Sequence, residues 1–351
     1  MGTAAACSPN RVDPATLNKQ LILAIGKGDV TSVEALLEKG ASIEAKNIED
    51  PYGGTPLSIA ADYGNETIIN LLISKGADPV AGGLKGQNAL IDAAKSGKVK
   101  KVELILKRGV DQKIKNEALL AIGENIGPTE LELPPEMAKE IELKEKIRRS
   151  KEPKPPVQDF AETTRILLKH GANIESRRED GATLLIISAS HGSTQVVKAL
   201  LENHANIEAA DNHGHTSLAG AACNCAFATM PSTYEVMELL VEKGANVNAT
   251  NNEGNTPLMS AAGWARTDHM RLLLDHDARV NMRNNKGDTA LHILLSLRGF
   301  DTIKLIEMLL AQGANPRIRN IAGDTPLCLA AKIEGDEGAK IIRLLRNKKL
   351  N

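Results

Sequence analysis

Aromatic residues are scarce in this chain of 351 residues: three Phe, three Tyr and one Trp make up 2% of it. Apolar residues nevertheless account for 42% of the sequence, which is enough for a substantial core. A core of this composition is built mainly from Leu, Ile, Val and Ala, which is typical of stacked helices.

Cysteine is also scarce, since four residues do not supply the disulfide framework of a small secreted domain. No apolar run reaches ~18 residues, so we expect no membrane span. The first residues, MGTAAACSPN, show no basic segment followed by an apolar one, so no secretory signal is visible. We expect a cytoplasmic protein, with a removed leader or lipoprotein signal as the alternative.

An excess of charge of one sign is absent as well. The 43 basic and 44 acidic residues leave a net charge of −1, so no bulk attraction to nucleic acid or to an anionic membrane is expected. The chain has no Gly-rich phosphate loop, no HExxH motif and no GxSxG motif. These absences argue against the common nucleotide-dependent, metallopeptidase and serine-hydrolase classes.

What the sequence does contain is an internal repeat. The segment GGTPLSIAADYGNETIINLLISKGADP begins at Gly53, and EGNTPLMSAAGWARTDHMRLLLDHDARV begins at Glu253. Both follow the pattern G-x-T-P-L-x-x-A-A, then a short turn, an apolar helix ending in two leucines, and a glycine or its substitute. The base spacing is 33 residues, as from Leu57 to Leu90. The first leucine of each repeat is Leu21, Leu57, Leu90, Leu119, Leu185, Leu218, Leu258, Leu291 or Leu327.

This pattern resembles the ankyrin repeat in motif and length over nearly the whole chain. The resemblance implies a curved, all-α solenoid of stacked helix-turn-helix units with short β-hairpin turns, whose concave side binds other proteins. We expect a repeat array at residues 17–347 between an N-terminal tail at 1–16 and a C-terminal tail at 348–351. The units are predicted near 17–50, 51–83, 84–113, 114–177, 178–210, 211–250, 251–283, 284–319 and 320–347.

Elementary helix chemistry agrees with this resemblance. A threonine such as Thr55 or Thr256 can cap the first helix through its hydroxyl, and a proline follows it where no N–H is needed. Glycine at the end of the second helix supplies a left-handed residue. His204 and Asp277 replace that glycine in two repeats, where we expect local strain.

The array is broken in three places. About 33 residues, 125–157, are inserted between the two helices of the fourth unit, either as a solvated excursion or as a partner-binding arm. The turn before this unit, GVDQKIKNEAL, is short, so its hairpin should be blunted. The sixth unit carries extra residues around CNCAFATMPSTY, which include Phe227, Met230 and Tyr234.

The stretch from Asp211 to Cys225, DNHGHTSLAGAACNC, holds two histidines and two cysteines. A zinc site needs four converging ligands, but the Cys-x-Cys spacing is short and the histidines lie at the opposite end of a helix. A Cys–His catalytic pair lacks a third, orienting group. We therefore predict scaffold thiols and exposed binding histidines, with no catalytic residue, metal or cofactor.

These observations lead to a protein-binding scaffold. We expect a non-catalytic, monomeric protein that binds a partner protein through its concave surface. Two alternatives remain: an effector or regulatory subunit that masks its target and, more remotely, an enzyme that uses the Cys/His cluster or the inserted arm. The predicted partner-binding residues occupy hairpin tips, first-helix ends and the sixth-unit excursion, and they are Tyr63, His191, His213, His215, Asn224, Phe227, Tyr234, Glu253, Asn255 and Trp264.

Overall fold

The computed structural model describes residues 13–46, 54–82, 88–126, 159–223, 232–297 and 302–347. Within these ranges the chain forms 18 α-helices, and its only extended pairing is two isolated β-bridges. None of the described helices is both long enough and apolar enough to cross a membrane. The all-α repeat architecture predicted from the sequence is thus confirmed.

The chain divides into two compact units. Unit 1 comprises residues 1–125 and 155–176, and unit 2 comprises 126–154 and 177–351. The helices of unit 1 are α1 Pro14–Lys27, α2 Val30–Glu38, α3 Pro56–Asp62, α4 Glu66–Ser74, α5 Ala89–Lys95, α6 Val99–Leu106, α7 Gln112–Asn125 and α8 Phe160–Lys169. Odd-numbered helices are the first helices of their repeats, and even-numbered helices are the second.

Unit 2 continues the same alternation. Its helices are α9 Leu184–Ser190, α10 Thr194–Glu202, α11 Ser217–Cys223, α12 Ser232–Glu242, α13 Pro257–Gly263, α14 Thr267–Asp275, α15 Ala290–Ser296, α16 Ile303–Ala311, α17 Pro326–Ala330 and α18 Gly335–Asn347. Each first helix packs against its own second helix and, within the unit, against the first helix of the next repeat.

Helix boundaries follow the capping chemistry expected from the sequence. The Thr256 hydroxyl accepts a hydrogen bond from the Met259 N–H at 3.2 Å, and Pro257 occupies the first turn. At the other end of the repeat, His204 and Asp277 adopt φ values of 65° and 63°. Both therefore take the left-handed conformation that glycine takes in the other repeats, as the pattern predicted.

The core lies between successive repeats. Leucines at the start of the first helices, such as Leu57 and Leu90, are fully buried. The alanine pair that follows, Ala60 and Ala61 in α3, is fully buried as well. Small side chains let neighbouring helices approach closely, while the leucines fill the space between repeats.

The structure also shows how the array departs from its repeat. The hairpin before the fourth repeat, which the short turn predicted to be blunted, is absent, and the 14-residue helix α7 starts in its place. Asp111 begins this helix, because its carboxylate accepts from the Ile114 N–H at 2.8 Å. The predicted insertion at 125–157 falls almost entirely outside the described residues, as does most of the predicted sixth-unit excursion, at 224–231. Residues 47–53 and 83–87 lie outside them as well.

Side-chain donors join the second and third repeats of unit 1. Lys101 on α6 donates from Nζ to the carbonyls of Ala60 and Ala61, at 3.2 and 2.8 Å, and Lys98 donates to the carbonyl of Asp62. These carbonyls belong to the last turn of α3, which lacks its own helical partners. Burial, with a smaller effect of nearby Lys98, lowers the pKa of Lys101 to about 8.

Candidate partner-binding face

Five hairpin tips and five first helices of unit 2 form the surface that we call the tip face. Each tip contains a glycine in the left-handed conformation, such as Gly214 with φ of 81°. In four of the tips the second residue folds its side chain back onto the tip backbone; Asn251 Oδ1, for example, accepts from the Glu253 and Asn255 N–H groups. The tip face comprises residues 177–183, 210–216, 250–256, 283–289 and 319–325 together with α9, α11, α13, α15 and α17.

Neighbouring tips are joined by a ladder of backbone hydrogen bonds. The Asn252 N–H donates to the His213 carbonyl at 2.9 Å, and the Asn285 N–H donates to the Glu253 carbonyl at 2.8 Å. A side chain at Gly214 would meet the backbone nitrogen of Asn252, with Cβ only 2.7 Å away. Glycine at this position is therefore required both by its φ and by the approach of the next tip.

His213 and Glu253 lie at the centres of two adjacent tips, and both are exposed. Their carbonyl groups are used in the ladder, but each side chain extends from the tip. The Glu253 carboxylate accepts one hydrogen bond, from the Asn255 amide at 3.0 Å. These two predicted residues therefore occupy the positions that the repeat pattern assigned to them.

His215 and Asn255 are partly committed to the scaffold. The Asn251 amide lies 3.0 Å from His215 Nε2, and the Asp211 carboxylate lies 3.4 Å from Nδ1. If the amide donates to Nε2, the imidazole carries its proton on Nδ1 and donates to Asp211. One repeat later, the Asn284 amide donates to Asn255 Oδ1 at 2.8 Å in the same arrangement.

Trp264 and His191 occupy equivalent positions at the ends of α13 and α9. The Trp264 side chain is 46% exposed, although it is the only tryptophan of the chain. His191 is half-buried, and its Nδ1 lies 2.7 Å from the Ile187 carbonyl, which fixes the ring. Among the predicted residues that the structure describes in unit 2, Trp264 is the one large hydrophobic side chain that is exposed.

The remaining predicted residues are distributed differently. Tyr63 ends α3 in unit 1, where it is 73% exposed. Tyr234 lies on the second helix α12. Its ring packs edge-to-face with the His269 ring, with 6.1 Å between the ring centroids. Asn224 and Phe227 lie outside the described residues.

An open cleft of about 540 Å³ lies between the third and fourth tips of unit 2. Glu253 and Lys286 line its rim, and Ile293 and Leu297 of α15 provide apolar surface. Sequence reasoning missed these two apolar residues. They occupy first-helix positions where the preceding repeat has Ser260 and Trp264, so a comparison of equivalent positions could have found them.

The histidine- and cysteine-containing stretch takes the form of a hairpin tip followed by α11. The His213 and His215 rings lie 6.1 Å apart, while Cys223 ends the helix and is half-buried. Across the described part of the chain, no three His, Cys, Asp or Glu side chains converge as metal ligands would. The described residues of the stretch, 211–223, provide hairpin and helix contacts, and Cys225 lies outside the described residues.

Comparison with known proteins identifies the repeat. The family described as ankyrin repeats (3 copies) matches residues 21–116, 157–251 and 226–320. The 2-5A-dependent ribonuclease of Mus musculus is 52% identical over 62 residues, which are 18% of this chain and 8% of that protein. Its Homo sapiens counterpart is 42% identical over 84 residues, 24% of this chain and 11% of that protein.

A third relative extends further along the chain. The ankyrin repeat and KH domain-containing protein mask-1 of Caenorhabditis elegans is 30% identical over 178 residues, 50% of this chain and 6% of that protein. The chain therefore covers only a small part, at most 11%, of these three relatives.

Proposed function

The chain belongs to the ankyrin-repeat family, and from this premise we propose that it is a non-catalytic scaffold that binds a partner protein through the tip face. Ankyrin repeats support a protein-interaction role. The finer proposal is that His213, Glu253 and Trp264 provide the central contacts. A partner held in this way is positioned or masked without any chemical step.

The observation that carries this proposal is the contrast between fixed backbone and exposed side chains in the tips. Hydrogen bonds from tip to tip hold the main chain, while His213 and Glu253 stay exposed. A surface that is ordered before binding loses little conformational entropy when the partner docks. Tryptophan is enriched among residues that dominate interface energies, and Trp264 is exposed beside these tips.

Affinity capture from native lysate, followed by titration of the purified partner, tests the proposal. The test variant is His213→Ala/Trp264→Ala. We expect its affinity for the partner to fall by about thirtyfold or more, since hot-spot residues contribute about 2 kcal/mol or more. The melting curve should match that of the wild type, because both side chains are exposed.

Leu23→Ala is the matched control, because Leu23 is a 53% exposed apolar side chain on the first helix of unit 1. This variant should bind as the wild type does. Tyr63→Ala forms a third arm, and a loss there would extend the binding surface to unit 1. Full affinity in the double variant would contradict the proposed role of the tip face.

A further inference from the structure

A second charged surface lies in unit 1, at the C-terminal ends of its second helices. Helices α2, α4, α6 and α8 pack against one another in that order. The residues at their ends include five exposed cations, which we call the basic edge: Lys39, Lys75, Lys107, Arg108 and Lys169. Three of these lysines are the residues that terminate α2, α4 and α6.

Helix-end electrostatics alone does not account for this row. A cation stabilises the negative end of a helix dipole, but three of the five equivalent helices of unit 2 do without one. There α10 ends at Glu202 and Asn203, α14 at Asp275 and His276, and α16 at Ala311 and Gln312. The other two carry a cation: Lys243 follows α12 directly after Glu242, and Arg346 lies in the last turn of α18. A row of cations on four successive second helices is thus found in unit 1 and not in the described part of unit 2.

Carboxylates near the basic edge reduce its charge without cancelling it. Asp78 Oδ1 accepts from the Val80 N–H at 2.9 Å, and Asp111 Oδ1 accepts from the Ile114 N–H at 2.8 Å. Both carboxylates are therefore turned toward their own backbone. Glu38 is exposed beside Lys39. Glu103 lies one helical turn before Lys107, and Glu44 accepts from the Asp78 N–H, so two further carboxylates lie close to the row. Within the helix ends 36–40, 72–76, 104–109 and 166–171 themselves, the five cations stand against the single carboxylate of Glu38, so these ends carry net positive charge.

We propose that the basic edge binds an acidic polypeptide segment, and that this surface acts independently of the tip face. Packed helices lie about 10 Å apart, and three residues of an extended chain span about the same distance. A segment with a carboxylate at every third residue would therefore match successive helix ends. Single-stranded nucleic acids are usually bound with aromatic stacking, and the described helix ends 36–40, 72–76, 104–109 and 166–171 contain no Phe, Tyr or Trp.

Fluorescence anisotropy of the full chain with a labelled peptide tests this proposal. The peptide has about 12 residues, with Glu at every third position and Gly or Ser elsewhere, and so spans the roughly 30 Å across four helices. The test variant is Lys39→Gln/Lys75→Gln/Lys107→Gln/Lys169→Gln. We expect binding at low salt that weakens as salt rises, and an affinity about tenfold or more lower in the variant.

A charge-matched control removes four exposed lysines of unit 2 that lie outside the tip face, as Lys198→Gln/Lys243→Gln/Lys304→Gln/Lys340→Gln. This control should stay within about twofold of the wild type, because bulk charge alone acts through screened, long-range terms. Arg108→Lys should also retain binding, whereas Arg108→Gln should weaken it. These two single variants keep the test decisive if the quadruple variant does not fold.

Three outcomes would overturn the proposal. One is the absence of peptide binding by the wild type. Another is an equal loss in the two quadruple variants. The third is binding of a thymidine oligonucleotide of the same charge as tightly as the peptide. Each of these results leaves the tip face untouched, because none of the four edge lysines belongs to unit 2.

Discussion

The two units are built from the same repeat, yet polar groups join their repeats in different ways. In unit 1 the ammonium groups of Lys98 and Lys101 reach back to carbonyls at the end of α3. In unit 2 the hairpin tips are joined by backbone groups and asparagine amides, such as Asn252 Nδ2 to the Asn212 carbonyl at 2.8 Å, and by the guanidinium groups of Arg177 and Arg283, which donate to the next tip. A joint made by a lysine ammonium responds to pH, whereas joints made by amides or guanidinium groups do not.

The units also differ in the ionisable residue that each has at one position of a second helix. Lys101 precedes Gly109 by eight residues, and His269 precedes Asp277 by eight, so the two are equivalent. Other repeats place buried Ile68 and Val236 at this position. Lys101 and His269 are therefore ionisable side chains at a site that four other repeats fill with an apolar residue and two with a Ser or Thr. Burial disfavours the charged form in both cases.

The most severe disruption should come from a hairpin tip of unit 2. Gly214→Ala places a methyl group against the Asn252 backbone and forces an alanine to keep φ of 81°. We expect a loss of about 3 to 4 kcal/mol in the free energy of unfolding, from left-handed strain and broken ladder bonds. Urea denaturation followed by fluorescence measures it in unit 2, because Trp264 is the only tryptophan.

Gly244→Ala, in the same unit, measures the cost of left-handed backbone strain without the steric contact that Gly214→Ala adds. Gly244 has φ of 88°, but a side chain there would meet open space. Its cost should be about 1 kcal/mol, the left-handed penalty alone. Equal destabilisation by the two substitutions would mean that the tip ladder contributes nothing measurable.

Acid should weaken unit 2 through His269. Its side chain is 6% exposed, and burial followed by repulsion from Arg266 lowers its pKa from 6.5 to about 4. Between pH 6.5 and about pH 4, His269 is protonated in the unfolded chain but not in the folded one. The free energy of unfolding therefore falls as the pH drops from 6.5 toward 4. We expect a loss of about 2 kcal/mol between pH 7 and pH 5, measured by urea denaturation with Trp264 as the probe.

His269→Val places the residue of an ordinary repeat at this position and should remove most of that acid sensitivity. The groups that act on His269 from its own helix and its cap are Arg266 and Asp268, and from α12 they are Tyr234 and the hydroxyl of Thr233, which lies 3.1 Å from Nε2. The described residues of α13 contain no titratable side chain. An unchanged pH profile in the valine variant would assign the acid response to other groups.

Alkali should act in the opposite direction on unit 1. The pKa of Lys101 is lowered from 10.5 to about 8, so the unfolded chain binds more protons between these values. The free energy of unfolding should then rise with pH across this window, by about 1 kcal/mol once the half-exposed position is discounted. Lys101→Met should flatten the rise, as measured with a Tyr63→Trp reporter in a Trp264→Phe background. A rise of the same size in the methionine variant would contradict the assignment.

Much of this architecture could be predicted from the sequence, because the 33-residue period fixes caps and turns locally. Thr256 as a cap, His204 and Asp277 as left-handed residues, and the missing hairpin before α7 all followed from residues within a few positions of each other. Local signals of this kind depend on backbone sterics and capping, which do not change with tertiary context.

The contacts between repeats could not be predicted in the same way. The partner of His215 is Asn251, 36 residues later in the chain, and only the stacking of tips brings them together. Lys101 belongs to the run KVKK, which is typical of a solvated helix face, but the end of α3 buries it. The repeat pattern therefore predicted His213 on a hairpin tip and Trp264 at the end of a first helix, where the structure has them, but it did not predict which polar atoms the scaffold uses.

The smallest effect should come from replacing His215 with asparagine, the residue that the next repeat has at the equivalent position, Asn255. His215 and Asn255 accept hydrogen bonds from Asn251 and Asn284 respectively, so His215→Asn should keep the ladder and change the free energy of unfolding by less than about 0.5 kcal/mol. His215→Leu leaves the Asn251 amide without this acceptor and should cost about 1 kcal/mol. Equal stability of the leucine and asparagine variants in urea denaturation would show that this imidazole is free to serve a partner instead.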